Sequence, residues 1–176
     1  DPTFVAVGET GLDRVNETAP IEIQRTAFRA QVAIAREGKR PLLVHSRGTM
    51  EEILEVLLAA PPGPTVLHAF GGDGLPDPAR LPEWIHIGIG GIFTFKKSDE
   101  IRSYVRAFPR ERILLETDSP YLSPEPRRGR RNEPSNLPHI ARKLGEVLGI
   151  PPEEVSRLTT SNAERFLGLV SDGAKG

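Results

Sequence analysis

The strongest constraint on this chain is a rhythm. Five short apolar runs recur, each followed by turn residues and then by a helical pattern. They are "TFVAVGE" (3–9), "PLLVHS" (41–46), "PTVLHAF" (64–70), "WIHIGIGG" (84–91) and "RILLETD" (112–118). Near-continuous apolar strands are buried on both faces, which is the habit of a parallel sheet whose crossovers are helices. The segment 20–37 supplies one such helix, with Ile23, Ala27, Phe28, Gln31, Ile34 and Ala35 at helical spacing. The segment 49–60 supplies another, with Met50, Ile53, Leu54, Leu57 and Leu58. A Pro/Arg-rich loop (123–136) leads to helices over 137–148 and 152–167, separated by Gly149 and Pro151, with Glu153 and Glu154 in the first turn of the second. The fold class is α/β, built from βαβ units.

The C-terminal ends of the five runs read Glu9, His45, His68, Gly90-Gly91 and Asp118. In a parallel β/α barrel all of these ends open onto one face, where active sites are built. Two imidazoles and two carboxylates converging there suit Zn²⁺, Mn²⁺ or Mg²⁺. A carboxylate can also bridge two ions in a hydrolytic centre. Singly, each residue has an ordinary reading: a histidine hydrogen-bonded at the rim, a glutamate paired with an arginine. The joint pattern carries the inference. It also explains why the run Ile113-Leu114-Leu115 leads into Glu116 and Asp118, since buried carboxylates are costly unless a cation meets them.

The bulk numbers narrow the partners. A net charge of −1 gives no global attraction to nucleic acid or to a membrane surface, so any such affinity must come from a local patch. The chain has no cysteine, which removes disulfides and thiolate metal sites and fits a reducing, cytoplasmic setting. It holds no apolar run of the roughly 18 residues that a membrane span requires. No obligate protein partner is inferred.

The segments "VAVGETGLD" (5–13), "PLLVHSRGTMEE" (41–52), "HAFGG" (68–72), "IGIGGIFTFK" (87–96), "LLETDSPYLSP" (114–124) and "RGRRNEPSN" (128–136) resemble the TatD family of metal-dependent hydrolases. The resemblance runs from about Phe4 to Leu169. It implies a TIM (β/α)8 barrel with one or two divalent ions, and phosphodiester cleavage described as deoxyribonuclease activity, 3'-5' or endonucleolytic. Glu9, His45, His68 and Asp118 match the family's metal ligands, with Glu9 as the bridge and Asp118 taking the proton from the attacking water. The family's opening His-x-His strand is absent from this stretch. A barrel of about 250 residues exceeds the 176 present. Residues 1–170 are therefore read as strands 4–8 and their helices, the C-terminal portion of a single barrel, with 171–176 as a frayed tail. By itself this stretch is expected to be inactive. Two rival readings stand: an ester or amide hydrolase such as a D-aminoacyl-tRNA deacylase, and a catalytically incomplete fragment.

Other residues have paired readings. Arg47 either contacts a substrate phosphate or pairs with Glu51. Arg128 and Arg131, within the cluster Arg127, Arg128, Arg130 and Arg131, either bind the phosphates of a DNA strand or simply solvate a loop. Glu116 is expected to face the same way as Asp118 and to orient a ligand histidine. Asp13 either supports a ligand or Arg47, or only shapes a turn. His86 is assigned to the opposite barrel end, and Asn162 to packing or capping.

Overall fold

The computed structural model describes residues 3–16, 19–72, 74 and 77–169. The elements alternate: β1 (Val7–Asp13), α1 (Ile21–Gly38), β2 (Leu42–Arg47), α2 (Met50–Ala59), β3 (Thr65–Leu67), β4 (Ile85–Ile89), α3 (Asp99–Ala107) and β5 (Ile113–Leu115), then α4 (Leu137–Leu148) and α5 (Pro152–Phe166). The strands form one sheet in chain order, β1-β2-β3-β4-β5, and every neighbouring pair is parallel. Among the described residues β1 and β5 each pair on one side only.

Alternation along the strands divides the sheet into two faces. Leu42 and Val44 of β2 and Ile85, Ile87 and Ile89 of β4 are fully buried, in one cluster with Phe28 and Val32 of α1, Ile53 and Leu57 of α2, and Ile140 and Leu144 of α4. The intervening positions, Leu43 and His45 on β2 and His86 and Gly88 on β4, point to the other face. The hydrophobic layer thus fixes which way His45 looks. At the opposite end of the sheet, buried Arg112 donates through Nη1 to the Pro82 carbonyl at 2.7 Å, and its guanidinium lies 4.9 Å from the Phe108 ring centre. Asn162, 1 % exposed, donates through Nδ2 to the carbonyls of Arg110 and Ile113, each at 2.8 Å, and so docks α5 onto the start of β5.

The strand expected over 3–9 lies four residues later. Phe4 and Val5 are 66 % and 47 % exposed, and β1 runs on through the polar residues to Asp13. Gly11, Leu12 and Asp13 pair with His45, Ser46 and Arg47, so backbone pairing rather than apolar content carries this half of the strand. Glu9 is therefore not a strand end. Its register, Val7↔Leu42 then Thr10↔Val44, sets Gly8 and Glu9 against the single residue Leu43, a bulge of the kind that re-aims a side chain beside an active site. β5 stops at Leu115, and Asp118 sits beyond it in the left-handed region at φ 58°. The argument that strand alternation aligns Glu116 with Asp118 therefore does not hold. On α1 the buried residues are Phe28, Val32 and Ala35, while Ile23 and Ile34 are 60 % and 58 % exposed. The expected frayed tail, 171–176, lies outside the described residues.

Candidate metal centre

Three strands deliver the site. The bulge of β1 presents Glu9, the C-terminal half of β2 presents His45, and His68 follows directly after β3. Glu9, His45 and His68 each offer a ligand atom within 4.8 Å of the others. Glu9 Oε1 lies 3.1 Å from His45 Nδ1 and 2.8 Å from His68 Nε2, and the two nitrogens are 3.4 Å apart. Ligands about 2.0–2.1 Å from a tetrahedral ion stand roughly 3.3 Å from one another. The triangle has that size. The donor set, two imidazole nitrogens and one carboxylate oxygen, also fits a borderline or hard divalent cation.

Each histidine is held from behind. Asp13 Oδ2 lies 3.1 Å from His45 Nε2, on the ring edge opposite Glu9. Asp13 is itself fixed: its Oδ1 accepts the N–H groups of Val15 and Asn16 at 2.7 Å, and Gln24 of α1 clasps its backbone, accepting from its N–H at 2.9 Å and donating to its carbonyl at 3.2 Å. Burial alone would push the Asp13 carboxyl up, but the donors of Asn16, Val15 and His45 bring it down to about 2. It is therefore ionised and can only accept, so it faces the His45 Nε2–H and leaves Nδ1 as the ring nitrogen that would meet an ion. Glu116 treats His68 similarly. Its Oε1 lies 3.7 Å from His68 Nδ1 and accepts the Ala69 N–H. Room for it comes from Gly88, where a Cβ would stand 2.5 Å from Glu116 Oε2. The space beside the Gly90-Gly91 pair is likewise filled by the chain, because a Cβ on Gly91 would meet the Leu122 carbonyl at 1.7 Å.

The electrostatics favour a cation. Burial would lower the His68 pKa, yet Glu116 and Glu9 raise it to about 9. Burial pushes Asp118 up, and Glu116 and Glu9 add repulsion against the pull of the two histidines. Asp118 lines the same cavity of about 940 Å³ as Glu9, His45 and His68, without joining their mutual set. Arg47 is exposed on that cavity's wall, and among the described residues it forms no ion pair with Glu51. Arg128 and Arg131 are exposed and line no part of it; the Arg128 guanidinium lies over the Phe95 ring, 4.0 Å from its centre.

A family model described as TatD related DNase matches residues 1–168. The chain belongs to the TatD family. It is 38 % identical over 174 residues to a Mycobacterium tuberculosis protein named "Uncharacterized metal-dependent hydrolase TatD", covering 96 % of this chain and 66 % of that one. It is 35 % identical over 182 residues to the "3'-5' ssDNA/RNA exonuclease TatD" of Citrobacter rodentium, covering 98 % of this chain and 68 % of that protein. The crystal structure of YJJV, a TatD homologue of Escherichia coli K12, matches with a TM-score of 0.81 at 26 % identity, over 94 % of this chain and 64 % of that one. The chain thus spans about two thirds of the length of the TatD relatives it matches. Among the described residues no helix is long and apolar enough to cross a membrane.

Sequence reading missed Gln24, which aims Asp13, and Asn132, which is 1 % exposed and donates through Nδ2 to the carbonyls of Thr117 and Tyr121, each at 2.6 Å. Asn132 stands in "RGRRNEPSN", between Arg131 and Glu133, and that was the available signal.

Proposed function

We propose that the chain is the metal-holding, substrate-facing part of a hydrolase that cleaves nucleic-acid phosphodiesters, removing nucleotides from a single strand of DNA. The observation that carries this is the triangle of Glu9 Oε1, His45 Nδ1 and His68 Nε2 on the wall of a large cavity. The exonuclease name of the Citrobacter rodentium relative supports the substrate class. The five parallel strands take the places of strands 4–8 in a (β/α)8 barrel, with residues 1–170 as the C-terminal portion of one domain. The chain order of the sheet and the match to YJJV support that assignment. A chain free of cysteine suits the reducing cytoplasm, where we assign the protein.

Glu9, His45 and His68 would hold one divalent ion. Bound there, such an ion supplies Lewis acidity and makes water acidic enough to ionise near neutral pH. Asp13 would hold His45 in the tautomer that faces the ion, and the Glu116 carboxylate, 3.7 Å from His68 Nδ1, would steady His68 from behind. Asp118, its pKa raised by burial, takes the proton of the attacking water as general base. The water oxygen bonds to phosphorus as the ester P–O bond breaks, and the proton held by Asp118 passes to the departing oxygen, leaving a phosphate monoester and a hydroxyl. Arg47 meets phosphate charge at the rim.

Metal uptake by the purified 176-residue chain is the first test: near-stoichiometric Zn²⁺ or Mn²⁺ is expected, falling at least tenfold in His68→Ala. The second joins the chain to the N-terminal third of the Citrobacter rodentium relative, completing the barrel. Chelator-sensitive hydrolysis of single-stranded DNA is expected, reduced about a hundredfold or more in Asp118→Asn. A chain that takes up no metal, or a metal-loaded Asp118→Asn protein with an unchanged rate, would defeat the proposal.

A further inference from the structure

The loop after β5 contains groups that the hydrolytic chemistry does not use. Tyr121 lines the cavity beside Asp118, yet is 71 % exposed. It is an exposed aromatic on a rigid support. Its N–H donates to the Asp118 carbonyl at 2.8 Å, and buried Asn132 holds the Tyr121 and Thr117 carbonyls together. Farther along, the Glu125 N–H donates to Thr94 Oγ1 at 2.9 Å and Arg128 covers Phe95, so the loop is pinned to the turn that follows β4. That turn continues into Lys96 and Lys97, both exposed. Over residues 125–133 four arginines stand against two glutamates, in a chain whose net charge is −1. Among the described residues Lys96, Lys97, Arg127, Arg130 and Arg131 form no ion pair. A solvated basic loop would need neither a buried asparagine clamp nor an arginine latched over a ring.

We propose that this loop and the turn beside it form a track for a single nucleic-acid strand leaving the metal centre: Tyr121 stacks on the base next to the scissile phosphate, and Lys96, Lys97, Arg127, Arg130 and Arg131 take the phosphates that follow. Arg128 has a different part. Lying over Phe95, it latches the loop to the turn and keeps both halves of the track in register. The inference deepens the hydrolase reading and rests on it for the position of the scissile phosphate. Stacking needs an unpaired base, because the π-face of a paired base is covered by its neighbours. The track therefore selects single strands over duplexes through Tyr121, and phosphate charge gives it reach without sequence preference.

The test is fluorescence anisotropy with the 176-residue chain in chelator, so that a metal–phosphate contact plays no part. The probes are a labelled single-stranded oligothymidylate, its duplex with oligoadenylate, and an abasic strand of equal length. Tyr121→Ala is expected to weaken binding of the base-bearing strand about tenfold and to leave the abasic strand unchanged, while Tyr121→Phe binds as the parent does. Replacing Arg127, Arg130 and Arg131 together by Gln is expected to weaken both strands alike and to flatten the salt dependence by about two to three units of slope. Equal loss on both strands in Tyr121→Ala, tighter binding of the duplex than of the single strand, or no effect of the triple replacement would each overturn the track. Thermal melts of the variants keep unfolding from passing as lost binding. Metal uptake and hydrolysis report separately on the hydrolase reading. Cleavage without the Tyr121 signature defeats the track alone, and the Tyr121 signature without cleavage in the completed barrel defeats the hydrolase reading alone.

Discussion

Asp13 and Glu9 grip opposite edges of the same imidazole: Asp13 Oδ2 lies 3.1 Å from His45 Nε2, and Glu9 Oε1 lies 3.1 Å from His45 Nδ1. Both come from β1, one from its bulge and one from its end, so a single strand supplies the proposed ligand Glu9 and the group that orients His45. This geometry predicts that Asp13→Ala lowers metal affinity about 10- to 100-fold, the usual cost of losing a partner behind a ligand histidine. Asp13→Asn keeps an oxygen for the Val15 and Asn16 N–H groups and should retain the turn while still weakening the metal. Competition with a chromogenic chelator measures both. Equal affinity in Asp13→Ala and the parent would leave Asp13 with the turn alone.

On the other side of the site, Gly88 borders both the Glu116 carboxylate, where a Cβ would stand 2.5 Å from Oε2, and the His68 backbone, 3.2 Å from its Cα. Gly88→Ala should push Glu116 away from His68 and Ala69, and so lower metal affinity by about tenfold from a distance. Glu116→Gln, which keeps the shape and removes the charge, should weaken metal binding by a similar factor. If Gly88→Ala binds metal as the parent does while Glu116→Gln does not, the backbone has shifted to absorb the methyl group and Glu116 still positions His68.

The contrast between these residues and the sequence marks what local pattern can disclose. His45 and His68 were legible because a histidine closing an apolar run is conspicuous, and the sheet does bring them within 3.4 Å. Glu9 was read as a strand end, and it lies instead on a bulge inside β1. The run "TFVAV" looks like the body of a strand, yet Phe4 and Val5 are exposed, and the polar half up to Asp13 is what pairs with β2. Apolar content reports burial, and a strand end that lines a polar site escapes it. Helix α3 was not singled out, although Ile101, Tyr104, Val105 and Phe108 stand at helical spacing and pack in or against the core. Gln24 and Asn132 act on backbone groups 11 to 15 residues away, and no spacing rule announces that. Nor could a run of arginines disclose that Arg128 lies over Phe95, an aromatic delivered by another βα connection.

Asn162 offers a test of stability apart from chemistry. Its buried amide donates to two backbone carbonyls at 2.8 Å and accepts from Arg165 Nη2 at 2.6 Å. Asn162→Ala leaves the Arg110 and Ile113 carbonyls without their partner and should destabilise the fold by about 2 kcal/mol or more. Urea denaturation followed by circular dichroism should show the midpoint fall, with metal stoichiometry in the folded baseline unchanged. A shift well below that size would mean water replaces the amide.

His86 gives the fold a defined acid response. Its ring packs edge-on against Phe166 of α5, with centroids 5.1 Å apart, and donates through Nδ1 to the Trp84 carbonyl at 3.2 Å. Burial lowers its pKa below the ordinary 6.5, Arg112 and Arg165 add repulsion, and the carbonyl bond only partly offsets them. The unfolded chain, with a ring near 6.5, binds the proton more readily than the folded one. Stability from this residue is therefore complete above that pH, declines as pH falls from 6.5 through the folded pKa, and levels off below it. The site carboxylates titrate too, so the informative quantity is a difference between proteins. Between pH 7.5 and 5.5 the urea midpoint of the parent should fall further than that of His86→Gln, which has no ring to protonate. Parallel losses in the two proteins would show that protonation of His86 does not set the acid response.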